Sequence, residues 1–218
     1  MGGETIAIDV LLEPDAVVRD LALGLNRAFL HSVAPPVGFE LGESRRPHVT
    51  VVQSYVRTDE LDQALDEVAA VAAAADRRAF DLVADAELRG DPAQAGDDDV
   101  VTAVWGMDGS AALLRLQMDV LEALVPFAVA GGDERAFVRT PDEPDVAPST
   151  VRYVERFVDE HAGSSYRPHL TLGRALARDL RVSSDALDGP IAFTAPALAV
   201  FQLGDAGTAR RQLAHWPS

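Results

Sequence analysis

Two short stretches of this chain pair a histidine with a threonine at the same spacing and in the same surroundings. Residues 46–51 read Arg-Pro-His-Val-Thr-Val, and residues 167–172 read Arg-Pro-His-Leu-Thr-Leu. They use two of the five histidines in the chain. An imidazole takes or gives a proton near neutral pH, and a hydroxyl donates a hydrogen bond. The repeated pair therefore indicates acid–base chemistry.

Both stretches predict the start of a β-strand. Proline moves the residue before it out of the α region, and the apolar residues that follow alternate with period two. Side chains two apart share one face of a strand, so His48 lies with Thr50, and His169 with Thr171. A single histidine of this kind is usually structural. Here the polar faces match as well as the apolar ones, which favours a functional interpretation of both pairs.

Composition limits the classes of function. A chain of 218 residues with 48% hydrophobic residues predicts an ordered globular protein, and the absence of cysteine excludes disulfides, thiolate metal sites and a cysteine nucleophile. The net charge of −16 disfavours a long nucleic acid and favours a small phosphorylated ligand. The N-terminus lacks the features of a signal peptide, and no apolar run approaches the roughly 20 residues that span a bilayer. We therefore expect a cytoplasmic protein with no membrane partner.

The order of predicted elements is mixed and is not the regular alternation of a parallel α/β sheet. Residues 126–148 are rich in Gly, Pro, Asp and Glu and predict an irregular loop. The other elements are a strand at 4–12, a helix at 14–32, a motif strand at 47–56, a helix from Thr58, strands at 80–88 and 100–107, a helix at 110–125, a helix from Ser149 or Thr150, a motif strand at 166–174, a weaker helix at 176–187, and strand-like segments at 190–203 and 210–216. This order favours an α+β protein of two related lobes, each with a small antiparallel sheet.

The acidic segment 89–99 predicts a solvated hairpin turn between two strands. Carboxylates are ligands for hard cations, but this segment lacks the ordered ligand spacing of a calcium loop. A zinc site that uses His48 and His169 is also disfavoured, because no third ligand has a motif-like spacing. We therefore predict no metal and no cofactor.

The paired His-x-Thr-x motifs resemble those of the 2H phosphoesterase superfamily, which includes the LigT-like 2′-5′ RNA ligases and the 2′,3′-cyclic nucleotide phosphodiesterases. An opening strand before a Pro-started helix, the sequence Pro-His-Leu-Thr-Leu-Gly-Arg of the second motif, and residues 201–209 are also similar to this family. The resemblance implies a single domain over 1–218 with a bilobed duplicated fold. In that fold two antiparallel sheets, flanked by helices, surround a central groove, and the motif strands face each other across it.

Two imidazoles on opposite walls of a groove can serve a phosphodiester cleavage as base and acid. Thr50 and Thr171 would then donate hydrogen bonds to the nonbridging oxygens. The resemblance implies metal-independent hydrolysis of a 2′,3′-cyclic phosphate or a 2′-5′ phosphodiester of a nucleotide or an RNA end, by a monomer. An RNA 2′-5′ ligase or RNA-end trimming enzyme, and a non-catalytic nucleotide-binding protein, are the alternatives. The sequence does not decide which histidine is the base.

Five further residues are candidates for substrate binding. Arg174 ends the second motif, and the alternation of side chains predicts that it leaves the His/Thr face. It would either bind a terminal phosphate or pair with an Asp on the surface. Arg46 and Arg167 precede the two prolines symmetrically. Tyr55 and Tyr166 can stack on a base, although such residues are more often part of a core or a rim.

Overall fold

The strand segments of the chain pair into a mainly buried antiparallel sheet. The computed structural model describes residues 4–35, 37–92 and 99–217. In that part of the chain the strands are β1 Thr5–Glu13, β2 Val49–Arg57, β3 Leu82–Pro92, β4 Val100–Asp108, β5 His169–Leu176, β6 Ile191–Phe193, β7 Ala197–Leu203 and β8 Ala209–Pro217. β2 and β5 are the two motif strands, so both motifs lie on the elements that the sequence predicts.

Helices connect the strands at the predicted places. They are α1 Ala16–Leu30, α2 Leu61–Ala74, α3 Ala111–Leu124, α4 Pro148–His161 and α5 Ala177–Asp185. The side chain of Asp15 accepts a hydrogen bond from the first turn of α1, and Ser110 does the same for α3. α4 begins at Pro148, where the missing N–H has no helical partner to lose. Within the described residues, no helix combines the length and apolar character needed to cross a bilayer.

The sequence predicts two sheets, whereas hydrogen bonding joins all eight described strands into one. The order is β6-β3-β4-β5-β2-β1-β7-β8, with the motif strands side by side at the centre. These two strands share a single antiparallel residue pair, Val49 with Leu170. Beyond it, β2 pairs with β1 and β5 pairs with β4. The architecture is therefore α+β, with one continuous sheet whose halves meet over one residue pair.

A β-bulge in β2 changes which residues share the face of the first motif. Val51 has no partner on β1, although the residues on either side of it pair there. An extra residue of this kind reverses the alternation of side chains beyond it. Gln53 therefore lies on the same face as His48 and Thr50, although it is an odd number of residues away.

A second bulge has the same effect in β5. Leu172 has no partner on β4, and the next residue, Gly173, has a φ of +114°, a conformation that favours glycine. Arg174 consequently stays on the face of His169 and Thr171. Regular alternation along the sequence predicts that Arg174 leaves this face. That prediction is wrong, because the bulge at Leu172 reverses the alternation. The bulge itself arises from pairing with β4, which no local pattern shows.

Each bulge is held by a buried amide from a helix. The Asn26 amide of α1 donates to the carbonyl of Leu172 at 2.9 Å, and the Gln117 amide of α3 donates to the carbonyl of Val51 at 3.0 Å. Both side chains are buried, and their amide oxygens accept from the backbone of the segments that lead into β2 and β5. Because a buried carbonyl without a partner is costly, these amides fix the bulges in place.

The segment 126–148, predicted to be irregular, covers a small second core. It contains one short 3-10 turn, Glu134–Ala136, before α4 begins. The buried members of this core are Ala7, Tyr55, Ala136, Phe137, Val146, Val154 and Leu203. The predicted turn in 89–99 falls partly on residues 93–98, which lie outside the described residues, while the strands on either side of it pair as antiparallel neighbours.

Candidate active site

One cavity brings together the polar faces of the two motif strands. His48, Thr50, His169 and Thr171 all line it, and its volume is about 510 Å³. The pair between Val49 and Leu170 is antiparallel, so His48 lies across from Thr171, and Thr50 lies across from His169. The volume falls within the range of roughly 300–1,000 Å³ that is typical of small-molecule sites.

Both histidines are anchored in the same way. Nδ1 of His48 lies 2.8 Å from the carbonyl oxygen of Arg46, and Nδ1 of His169 lies 2.9 Å from that of Arg167. A carbonyl can only accept, so each Nδ1 carries a proton. Nε2 of each ring is therefore the nitrogen that is left for proton transfer.

A buried carboxylate lies beneath the first motif. Asp9, in the middle of β1, is fully buried. Its Oδ2 accepts hydrogen bonds from the Thr50 hydroxyl and the Gln53 amide, each at 3.0 Å, and lies 3.3 Å from Nε2 of His48. Sequence reasoning missed Asp9 because a single Asp in an apolar strand has no motif; only the pairing of β1 with β2 brings it to the histidine.

The carboxylate changes the acidity of His48. Burial by itself would lower the pKa of His48, but the hydrogen bond and the charge of Asp9 raise it, with help from the Arg46 carbonyl and the charge of Glu13. The net effect raises the pKa above the ordinary value of 6.5. The structure therefore favours a charged imidazole at this position.

The second motif has a cation, Arg174, at the position where the first has Gln53. Arg174 lines the cavity and donates to the hydroxyl of Thr102, and it forms no ion pair with a carboxylate of the described residues. Burial lowers the pKa of Arg174, and the charge of Asp205 opposes this effect. The hydroxyl of Thr171 also has no hydrogen-bond partner in the described part of the chain. Arg174 and Thr171 thus offer N–H and O–H donors to an anion in the cavity.

The two arginines before the prolines differ in position. Arg46 lies outside the cavity and is bound to Glu13 at 3.0 Å and to Glu43 at 3.1 Å. Its role in substrate binding stays a prediction, and its position outside the cavity and its two carboxylate partners do not support it. Arg167 does line the cavity; its guanidinium donates to the carbonyls of Ser164 and Tyr166.

The two tyrosines differ in position, since Tyr55 lies away from the cavity and Tyr166 lines it. Tyr55 is 2% exposed and lies in the second core, with its ring edge against Phe137 and its hydroxyl bound to the carbonyl of Val151. It does not line the cavity, because the segment 126–148 covers it. Tyr166 does line the cavity, but its hydroxyl donates to the carbonyl of Thr50 at 2.8 Å. Tyr166 therefore positions the first motif.

Tyr153, Phe157 and His161 of α4 form an aromatic wall of the cavity. All three side chains line the cavity, and the rings of Tyr153 and His161 stack with centroids 4.5 Å apart. Burial lowers the pKa of His161 and favours a neutral ring, and the charge of Glu160 opposes this effect only in part. Aromatic residues four apart also describe an ordinary core stripe, so the sequence does not distinguish this wall from a core.

The segment 201–209 holds the aromatic wall in place. The carboxylate of Asp205 accepts from the backbone N–H of Ala147 at 2.9 Å and from the Thr150 hydroxyl at 2.7 Å. Both donors lie at the start of α4, where a negative charge is favourable. The segment 201–209 therefore makes a contact that supports the cavity.

Neither a metal cluster nor a known relative adds to this picture. The described residues contain no group of three or more His, Asp or Glu side chains placed to hold a metal ion. No protein-family model matches the chain, and no curated protein matches it. The geometry and chemistry of the cavity therefore carry the functional interpretation.

Proposed function

We propose that the chain is a phosphodiesterase that hydrolyses a 2′,3′-cyclic phosphate or a 2′-5′ phosphodiester of a nucleotide or an RNA end. One histidine acts as base on the attacking water and the other as acid on the leaving oxygen. The observation that carries this proposal is the pair of anchored imidazoles, His48 and His169, on one cavity. Attacking and leaving oxygens lie on opposite sides of phosphorus, so two proton-transfer groups from two strands suit the reaction.

The donors around the histidines fit a phosphate anion. Thr171 and Arg174 offer hydrogen bonds from one side of the cavity, where negative charge grows in the transition state. The hydroxyl of Thr50 already donates to Asp9, so it offers lone pairs rather than its proton to the cavity. This modifies the symmetric role of two threonine donors that the motifs predict. The two imidazoles supply both proton transfers, so the scheme needs no metal.

The aromatic wall supports a nucleotide rather than a simple phosphate as substrate. Tyr153 and His161 present stacked rings on the cavity, and an aromatic ring can stack on a nucleobase for about 1–3 kcal/mol. The cavity volume of about 510 Å³ suits a mononucleotide or the end of a chain. The net charge of −16 also favours a small substrate over a long RNA.

We also infer that the fold is a duplication of two lobes that meet at β2 and β5. The similarity of the two halves supports this inference. Each motif strand has a bulge three residues after its histidine, and a buried amide from a helix binds the carbonyl at each bulge. In both halves, Nδ1 of the histidine also contacts the backbone carbonyl two residues earlier.

A substrate panel in the presence of EDTA tests the proposed activity. It contains 2′,3′-cyclic nucleotides, 2′-5′ and 3′-5′ dinucleotides, ADP-ribose cyclic phosphate and a cyclic phosphate without a base. We expect turnover of a 2′,3′-cyclic or 2′-5′ compound that bears a base, and weaker turnover of the base-free one. Binding of nucleotides without any turnover would favour a nucleotide-binding protein, and activity that appears only after zinc or manganese is added would overturn the two-histidine scheme.

Two expectations about the whole protein stay predictions. A single chain holds both histidines of the cavity, so we expect the monomer to be active. Sedimentation at the concentration of the assay measures the oligomeric state. The expected location is the cytoplasm, where nucleotide and RNA-end substrates are available.

A further inference from the structure

We propose that Asp9 is a positioning residue that keeps Nε2 of His48 protonated, so that His48 is the general acid and His169 is the general base. This inference rests on the proposed function and assigns the two roles that the motifs leave open.

The contacts of Asp9 place one acceptor oxygen against Nε2 of His48. Its Oδ2 accepts from Thr50 and from Gln53 and lies 3.3 Å from Nε2 of His48, while its Oδ1 has no partner among the described residues. Donors converge on one oxygen only when that oxygen is an acceptor. A buried carboxylate needs a nearby positive charge, and the closest titratable one available is a protonated His48.

The two histidines differ at Nε2. In His48, Nδ1 faces a carbonyl and Nε2 faces a carboxylate, so both nitrogens favour a proton. In His169, Nδ1 faces a carbonyl, and no hydrogen bond or ion pair from residues 4–35, 37–92 or 99–217 reaches Nε2. In the neutral form of such a ring the lone pair of Nε2 is free, and a base requires a free lone pair.

The two halves of the sheet differ at the position of Asp9. Asp9 pairs with Gln53 on β2, and in the other half Thr102 pairs with Arg174 on β5. Both Gln53 and Arg174 lie five residues after their histidines and donate to the residue opposite. A carboxylate thus lies beside His48, while the half that contains His169 has a hydroxyl and a guanidinium at the corresponding positions.

Other groups around His48 do not provide this support. Among the described residues, the titratable and charged groups around it are Asp9 and Glu13 from β1, Arg46 from the segment before β2, Tyr166 from the segment before β5, and His169 from β5. Glu13 is bound to Arg46 at 3.0 Å, which offsets its charge. Asp9 is the only one of these that is both acidic and in contact with Nε2.

The assignment defines each proton transfer. A water oxygen forms a bond to phosphorus as its proton passes to Nε2 of His169. The bond from phosphorus to the leaving ribose oxygen breaks, and that oxygen takes the proton from Nε2 of His48. Nε2 of His48 lies 3.3 Å from Oδ2 of Asp9, so the carboxylate is close enough to stabilise the charged ring before the proton is transferred. Exchange with solvent restores both rings.

Replacing the carboxylate with an amide of the same size tests the assignment. The rate constant kcat/KM depends on pH through a base that must be neutral and an acid that must be charged. Asp9→Asn lowers the pKa of His48, so we expect the alkaline limb of the profile to move to lower pH while the acidic limb stays in place. Glu13→Gln, on the same strand but without contact to Nε2, is the matched control and should move the alkaline limb less. A shift of the acidic limb alone, or no shift, would overturn the proposal.

A second measurement needs neither the variant nor the activity. Titration of the imidazole resonances in the wild-type protein, assigned with His48→Asn and His169→Asn, should show His48 holding its proton to higher pH than His169. The opposite order would refute the role of Asp9 even if the protein is an active phosphodiesterase. Conversely, the expected order with no turnover of any substrate would contradict the proposed function and leave the contact between Asp9 and His48 intact.

Discussion

At the scale of single residues, the two copies of the motif share their anchors but not their charges. Both histidines hold Nδ1 against a carbonyl, so the same nitrogen of each ring is left for proton transfer. Asp9 adds a negative charge beside His48, whereas Arg174 adds a positive charge on the face of His169. A pair of identical motifs can therefore supply an acid and a base.

Replacing Arg174 should weaken substrate binding more than it slows the chemical step. Its guanidinium is half-buried, donates to Thr102 and has no carboxylate partner in the described residues, so N–H groups remain for a phosphate. We expect Arg174→Gln to raise KM about 10-fold to 100-fold, since a hydrogen bond to a charged group contributes about 1.5–3 kcal/mol. Arg174→Lys should recover part of the loss, because it keeps the charge.

A neighbouring arginine provides the control for this measurement. Arg89 also lines the cavity, but it is exposed and bound to Asp85 at 2.6 Å. Steady-state kinetics of Arg89→Gln should show a much smaller change in KM. Equal effects of the two substitutions would mean that Arg174 acts only through the general charge of the cavity.

The sequence predicts the residues of the motifs but not their partners. His48 and His169 with their threonines are found from local alternation and repetition alone. Asp9 reaches His48 only through the register of β1 and β2, and Arg46 is bound to Glu13 of β1, to which no local pattern connects it. Tertiary contacts decide such partners, so the histidines were predictable and their charge states were not.

At the scale of elements, two bulges and two helices determine the shape of the cavity. The bulges turn Gln53 and Arg174 towards the faces of the two motifs. The amides of Asn26 and Gln117 bind the carbonyls at these bulges. Each amide comes from a helix in one half of the chain and binds the motif strand of the other half. These two hydrogen bonds therefore link the halves, in addition to the single residue pair between β2 and β5.

Removing either amide should destabilise the protein and disturb the opposite motif. Asn26→Ala and Gln117→Ala each leave a buried carbonyl without its partner, which costs about 1–3 kcal/mol in the free energy of unfolding. Urea unfolding measures this loss, and kcat/KM should fall as well, since the bulge positions the motif face. Gln63→Ala removes an exposed amide from α2 and should change stability by less than about 0.5 kcal/mol. If Asn26→Ala and Gln117→Ala also change the free energy of unfolding by less than about 0.5 kcal/mol, the bulges do not depend on the amides.

Elements were predictable where periodicity is local and strong. The helices and motif strands begin within a few residues of their predicted positions, because proline, capping residues and apolar spacing act locally. The bulges were not predictable, since an unpaired residue is defined by its partner strand. The same reason explains why two sheets were expected: the pair of Val49 with Leu170, which joins the halves, has no local pattern.

At the scale of the molecule, the net charge of −16 should select against long RNA. An RNA oligonucleotide that ends in a 2′,3′-cyclic phosphate is repelled more strongly than a cyclic mononucleotide. Its kcat/KM should therefore rise between about 0.01 M and about 0.15 M salt, where the Debye length falls from about 30 Å to about 8 Å. The mononucleotide should respond less. A steep fall of the oligonucleotide rate with salt would instead indicate a basic surface that binds the RNA backbone.

The kinetics of single and double histidine variants test the two-histidine mechanism most directly. On the best substrate of the panel, with EDTA present, His48→Ala and His169→Ala should each reduce kcat/KM by about 10²–10⁴-fold, the usual range for a positioned acid or base. The double variant should lose less than the product of the single losses, because both groups serve one transition state. His31→Ala, an exposed residue outside the cavity, should keep wild-type rates. A folded His48→Ala or His169→Ala protein that turns over every substrate at the wild-type rate would contradict the mechanism.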